Sequence, residues 1–455
     1  MKILQTSTLL KKTHSFTILN SIHVDIEVTD NPYLLPLEEL FIMAARINKR
    51  RSFLFVSKVL GKHLPINPNK GLLTGALLGT RYIETIKGIE AEKRESLINL
   101  FHQEEPFFHY KAFIPKHINP VVIGFAETAT SLGHAFFDCF ENADYFHTTR
   151  EEIFDKEPSI TFEEEHSHAT SHRCYIPIEL IENDREIILV DDEMTTGKTA
   201  INIIRSIHTQ FPRKEYTIVS ILDWRSDEHI NQVKQLEEEF GVIVHIVSLL
   251  AGKILVDPFK KVDEVHGKQA EDDLQDKPTT EVLSLSLSPF FSKTKSFKLT
   301  GQQGNTHFIE ETGRFGINSD RNESLHRKIT AAASVLKKNR TGTRTLCLGT
   351  GEFMYIPMKL AAEMGGDVSY QSTTRSPIYT ANVDGYGARY GITFPNPEDE
   401  AICHYVYNIP PGEYDELFVF IEREVMEEKL RPVLTQLEKL QIKSIKIVFF
   451  AQLEV

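Results

Sequence analysis

EIILVDDEMTTGKTA, residues 186–200, decides how this chain is read: an apolar run stops at two aspartates and passes into small hydroxyl residues around one glycine. Ile187, Ile188, Leu189 and Val190 are aliphatic without polar interruption, as expected of a central parallel strand covered on both faces. The carboxyl end of such a strand is where ligands are held. Thr195, Thr196, Gly197, Lys198 and Thr199 then supply hydroxyls and closely spaced backbone N–H groups where a helix begins, and the positive end of that helix suits a phosphate monoester. Asp191 and Asp192 stand too far from the phosphate to touch it and are expected to face a polyhydroxyl or a cation one sugar length away. A phosphate site beside a diol site predicts a ribose 5-phosphate ligand.

Gly197-Lys198-Thr199 is also the tail of a Walker A loop, but that motif needs a glycine at position 192, which is Asp here. A plain acidic turn with a threonine cap would not explain why both aspartates abut a wholly apolar strand. The full string resembles the PRPP-binding motif of type I phosphoribosyltransferases: an apolar strand, two acidic residues, two variable positions, then Thr-Gly-x-Thr. The resemblance implies an α/β fold with a doubly wound parallel sheet and PRPP as one substrate. It also implies a small-molecule acceptor and Mg2+, with Asp191 and Asp192 both catalytic and metal-ordering.

With 455 residues, 41% of them hydrophobic, the chain can bury more than one core. A formal net charge of −13 argues against a surface built to hold nucleic-acid phosphates. The cysteines Cys139, Cys174, Cys347 and Cys403 lie far apart with no C-x-x-C spacing, which predicts a reduced, cytoplasmic protein. No apolar stretch approaches membrane-spanning length, and the N-terminus lacks a signal-peptide pattern. A homodimer is left open.

Taken in order, Ser15 to Val28 has the alternation of a hairpin, Leu37 to Ile47 has helical spacing, and Lys70 to Gly79 reads as a small-residue helix. Arg50 and Arg51 are candidate phosphate clamps. Val121 to Gly124 is a buried strand followed by a small-residue loop, and the resemblance assigns Glu127, Thr128 and Ala129 to pyrophosphate. Asp144 to Thr149 is the next strand. Asp155 to Arg173 carries no apolar periodicity and reads as a polar loop, the place of the family's mobile flap, with His166 and His168 assigned to the leaving pyrophosphate. Its Glu163, Glu164 and Glu165 depart from a basic flap. Beyond the strand Tyr216 to Leu222, Asp223 and Trp224 are placed on the acceptor side, where the indole could stack on a flat ring or serve as a packed edge aromatic.

These elements form a first domain over residues 1–260. Residues 261–290 read as a linker and 291–455 as a second α/β domain with a strand at Thr345 to Leu348 and a glycine turn at Gly349 to Gly351. STTRSPIY, residues 372–379, and the later FPNPEDEAICHYVYNIPP resemble the two-domain proteins that join a phosphoribosyltransferase to a TRSP domain in bacterial tellurite and stress-resistance gene clusters. The resemblance implies synthesis of a nucleoside-like compound; a PRPP-binding regulator without transferase activity is the alternative. A pattern inside the chain adds one more expectation. Gly124, Glu127 and Thr148-Thr149-Arg150 recur as Gly349, Glu352 and Thr373-Thr374-Arg375, each 225 residues further on. The second domain is therefore expected to be a degenerate copy that keeps an anion site at Gly349, Gly351, Glu352, Thr373, Thr374 and Arg375 but lacks the Thr-Gly-x-Thr loop.

Overall fold

Along Ile187–Met194 the aliphatic side chains alternate between two cores, as a strand covered on both faces requires. Ile187 and Leu189 pack with Ile201, Ile204, Val233 and Leu236 of helices Lys198–Gln210 and Asp227–Phe240. Ile188 and Val190 pack on the other side with Leu72, Leu73, Leu132 and Ala135 of helices Pro68–Thr85 and Ala129–Phe137. The computed structural model describes residues 13–47, 52–109, 111–127, 129–163, 171–256, 280–299 and 305–454.

The sheet built on this strand runs, edge to edge, Thr13–Ile18, Ile22–Asp30, Ile243–Val256, Glu215–Asp223, Ile187–Met194, Val121–Gly124, Asp144–His147 and Ile317–Asn318. The five strands from Ile243–Val256 to Asp144–His147 are parallel. The chain leaves Val121–Gly124 toward Asp144–His147 on one side and returns to Ile187–Met194 on the other. That reversal opens a crevice between the carboxyl ends of Val121–Gly124 and Ile187–Met194, the position where open α/β sheets hold ligands.

A second sheet, wholly parallel, runs Glu281–Ser286, Ser444–Ala451, Glu416–Arg423, Thr345–Gly349, Val368–Ser372. Its reversal falls between Thr345–Gly349 and Glu416–Arg423, so its four sequential strands are wound as in the first sheet. Only the far strand differs in chain order: Ile243–Val256 comes last in the first unit, whereas Glu281–Ser286 comes first in the second. Cys347, Phe418, Phe420 and Val448 of this sheet share one core with Leu72 and Leu132, through helices Ser319–Lys338 and Tyr355–Met364. Four helices are thus sandwiched between two sheets.

Four readings from the sequence change. Leu37 to Ile47 is one helical turn, Leu37–Leu40, followed by the strand Phe41–Ala45, because Phe41, Met43 and Ala45 pair across a hairpin with Ser57, Phe55 and Phe53. Tertiary pairing overrides the helical spacing here. The stretch Asp155 to Arg173 contains a short hairpin, Ile160–Glu163 with Ser171–Cys174, rooted by buried Ile160, Phe162 and Cys174. Alternation over four residues was too short to register against the polar background. The end of the expected linker, Glu281–Ser286, is the edge strand of the second sheet, and 257–279 lie outside the described residues. Helix Pro68–Thr85 exceeds the span read from the sequence at both ends: Asn67 Oδ1 accepts the Asn69 N–H at 2.9 Å and Pro68 opens the helix.

Candidate active site

Strand Ile187–Met194 delivers Asp191 and Asp192 half-buried to the crevice, and the chain then turns through Thr195 and Thr196 into helix Lys198–Gln210. Gly197 caps that helix at φ +75°, ψ 2°, a left-handed conformation that side chains with a Cβ rarely adopt. The glycine cap itself has no side chain to bond the first turn. Thr196 Oγ1 accepts the Lys198 N–H at 3.3 Å. Lys198 and Thr199 begin the helix, so the loop Thr195–Thr199 sets three hydroxyl residues beside a positive helix end. Asp191 Oδ1 accepts the Asp192 N–H at 2.9 Å, which fixes the first carboxylate at the strand end.

Next door, Phe125 N–H bonds Val190 O at 3.2 Å and carries the chain from Gly124 into the loop before helix Ala129–Phe137. Glu127 and the Asp191–Asp192 pair therefore share one sheet edge. The loop differs in detail from the expected pyrophosphate cradle. Ala129 N–H is already bonded to Phe125 O at 2.9 Å, and the Glu127 carboxylate accepts the Arg375 N–H of the second unit at 3.3 Å. Thr128, His166 and His168, like Arg50 and Arg51, lie outside the described residues. Of the flap histidines, His172 is buried at the base of the hairpin, stacked on Phe162 and within 2.8 Å of Thr148 Oγ1.

Trp224 is 4% exposed, stacked on Phe55 at 4.9 Å and edge-on to Phe41 at 5.9 Å. The indole is packing for the hairpin Phe41–Ala45 and Phe53–Ser57 rather than an open platform. Asp223 grips Arg225 through two bonds, at 2.9 Å from Nε and 2.8 Å from Nη2. Arg225 in turn lies over the phosphate loop, since a Cβ on Gly197 would stand 3.3 Å from its Cδ. Sequence reasoning missed Arg225; the acid two residues before it was the available signal. A surface cleft of about 440 Å³, lined by residues that include Phe16, Phe41, Lys58 and Tyr386, contains none of the switch-point loops.

In the second unit several of the six residues expected to form an anion site are engaged within the protein. Glu352 crosses to the first unit, where it accepts from Thr149 Oγ1 at 2.5 Å and from Arg150 N at 2.8 Å. Thr373 Oγ1 accepts the Gly351 N–H at 2.9 Å, and Thr374 pairs with Tyr405. At the end of Glu416–Arg423, Glu422 makes a bidentate pair with Arg314, and Arg423 bonds Glu398 and Glu151, each at 2.7 Å. Ionic side chains fill the place that the aspartate pair and phosphate loop hold in the first unit.

With the doubly wound sheet and its acidic pair at the switch point in view, residues 40–253 match the family described as phosphoribosyl transferase. Residues 311–437 match the TRSP domain described as C-terminal to it, so this chain joins a phosphoribosyltransferase domain to a TRSP domain. Solved structures with some likeness include adenine phosphoribosyltransferase from Trypanosoma brucei in complex with AMP, pyrophosphate and ribose-5-phosphate, at 11% identity and TM-score 0.31 over 54% of this chain and 90% of that one. Adenine phosphoribosyltransferase from Saccharomyces cerevisiae shows 12% identity and TM-score 0.28 over 47% and 96%. The Rhodothermus marinus enzyme shows 16% and 0.27 over 47% and 95%. No curated protein matches the chain. No described helix is long and apolar enough to cross a membrane.

Proposed function

We propose that the first unit transfers the 5-phosphoribosyl group of PRPP to a small-molecule acceptor, with release of pyrophosphate and formation of a 5-phosphoribosylated product on the way to a nucleoside-like compound. The observation that carries this reading is the convergence of Asp191, Asp192 and the loop Thr195–Thr199 at the switch point. The anomeric C–O bond to pyrophosphate breaks, a bond from the acceptor's nucleophilic atom forms at the same carbon, and the acceptor's proton leaves to solvent or a nearby base. As the anomeric carbon gains positive charge, the carboxylates of Asp191 and Asp192 stabilise it through the ribose hydroxyls, while the amides and hydroxyls of Thr195 to Thr199 anchor the 5-phosphate.

Two carboxylates with oxygen donors only fit Mg2+, which commonly takes one or two protein carboxylates and completes its shell from substrate phosphate and water. Bound there, the cation would neutralise the departing pyrophosphate.

Asp191→Asn and Asp192→Asn are each expected to lower pyrophosphate release by about 10²–10³-fold, the usual loss when one transition-state electrostatic contact is removed. The full chain incubated with PRPP, magnesium and a cell extract, followed by mass spectrometry, should show a new phosphoribosylated product. PRPP binding without release against any acceptor pool would instead make the protein a PRPP sensor.

A further inference from the structure

At several matched positions the two units make the same bonds. Thr148 N–H bonds Gly124 O, and its Oγ1 accepts from Ala126 N and meets His172 Nδ1; Thr373 does the same with Gly349 O, Gly351 N and His404 Nδ1. Tyr145 OH donates to Thr130 O and Tyr370 OH to Met354 O. Tyr175 and Tyr407 hydroxyls each accept a backbone N–H, from Ile153 and Ile378.

The units also reach into each other reciprocally. Ile66, just before helix Pro68–Thr85, bridges Tyr370 of the second sheet, while Ile317, just before helix Ser319–Lys338, pairs with Tyr145 of the first. Gly61 and Gly313 let these segments lie on the two tyrosine rings, since a Cβ there would come within 2.8 and 2.5 Å of ring carbons. The first unit thus meets a second unit as one subunit meets a twofold-related partner, except that the partner is covalently attached.

The exchange of glutamates is unequal, and the inequality has a direction. Glu127 makes one long bond to the Arg375 amide, whereas Glu352 holds both the Thr149 hydroxyl and the Arg150 amide, and its own carbonyl accepts from Thr130 Oγ1 at 3.1 Å. Arg423 adds a third grip on the same loop through Glu151. The Glu352 carboxylate and Arg423 both bear on Thr149–Glu151, which leaves the carboxyl end of the strand beside the switch point.

We propose that the TRSP domain is a built-in partner subunit that has given up its own ligand site, and that Glu352 is the positioning residue that sets the Thr149–Arg150 loop on the pyrophosphate side of the first unit. The proposal rests on the transferase reading for its consequence, though not for its geometry. A buried carboxylate with two donors fixes a loop that otherwise ends in a solvent-facing turn. The anchored amide is that of Arg150, so its side chain starts from a fixed point on the backbone.

The test uses the full chain. In ligand-free Glu352→Ala, hydrogen exchange in peptides spanning Thr148 to Ile153 should accelerate by about tenfold, and PRPP and inorganic pyrophosphate should each bind about tenfold more weakly, matching loss of one charged contact. Glu352→Gln, which keeps the shape and one acceptor, should restore most of both. Asp415→Asn, at the opposite end of the second sheet near Arg344, should change neither. Unaltered exchange in Glu352→Ala overturns the proposal, and so does tighter pyrophosphate binding, which would make Glu352 a competing anion. If the unmutated chain binds no PRPP, the functional reading fails and exchange alone decides the positioning role.

Discussion

Gly197→Val is expected to weaken PRPP binding by about a hundredfold or more, from a strained backbone and a displaced phosphate loop acting together. At φ +75° a β-branched residue meets its own backbone, which costs about 1–3 kcal/mol if the conformation is kept. Keeping it also brings the new Cβ within 3.3 Å of Arg225 Cδ. Arg225 has no easy retreat, because Asp223 holds its guanidinium by two bonds inside a nearly buried pair. Relaxation must therefore come from the loop, moving the N–H groups that would face the 5-phosphate. Because the substitution touches a helix cap and no core, the melting temperature should fall by only a few degrees. Calorimetry with PRPP checks the point: unchanged affinity in a folded variant would mean that the phosphate does not sit here.

How far the sequence carried depended on how local each signal was. The strand, acidic pair and loop of residues 186–200 were legible because one short string contains both the apolar run and the left-handed glycine, and the structure puts Gly197 at the helix start. The 225-residue spacing correctly anticipated that Val368–Ser372 would neighbour Thr345–Gly349. What it could not show was which unit each glutamate would serve. Gly-x-x-Glu fixes where Glu352 leaves the backbone, and the partner 203 residues away is set only when the helical layer brings the two sheet edges together. Of the two readings of Trp224, the packed aromatic is the one the structure shows. Its polar flanks, Asp223 and Arg225, suggest exposure, yet those two neutralise each other and free the indole to pack under Phe41 and Phe55. The strand Phe41–Ala45 was lost to helical spacing for want of its hairpin mate, and the edge strand Glu281–Ser286 to a charged, poorly apolar segment that only an edge position tolerates.

The whole chain is expected to lose most of its stability between pH 6.5 and 4, ahead of ordinary carboxylate titration. His134, His147 and His404 are each almost wholly buried, and burial pulls each imidazole down to about 4. For His134 the drop persists although Asp138 nearby favours the charged form and Asn322 Oδ1 accepts from Nε2 at 2.8 Å. Its ring lies flat on Tyr355 at 3.6 Å, in the layer that joins the two units. The sign follows from linkage: a base whose folded pKa lies below its unfolded value of about 6.5 stabilises the fold fully above 6.5, and the contribution disappears as pH falls to the folded value. Each such histidine contributes on the order of 3 kcal/mol over that interval, and three together rival the usual net stability of about 5–15 kcal/mol. Asp138, held down to about 2 with His326 favouring its charged form, works in the same direction but only below the unfolded carboxylate range. Thermal melts at pH 7.5, 6.5, 5.5 and 4.5 should therefore show a steep fall across the histidine window, shared by both units because their core is continuous. A melting temperature flat from 7.5 to 4.5 would mean that these imidazoles gain solvent or partners in solution, and that the helical layer between the sheets is looser than its packing indicates.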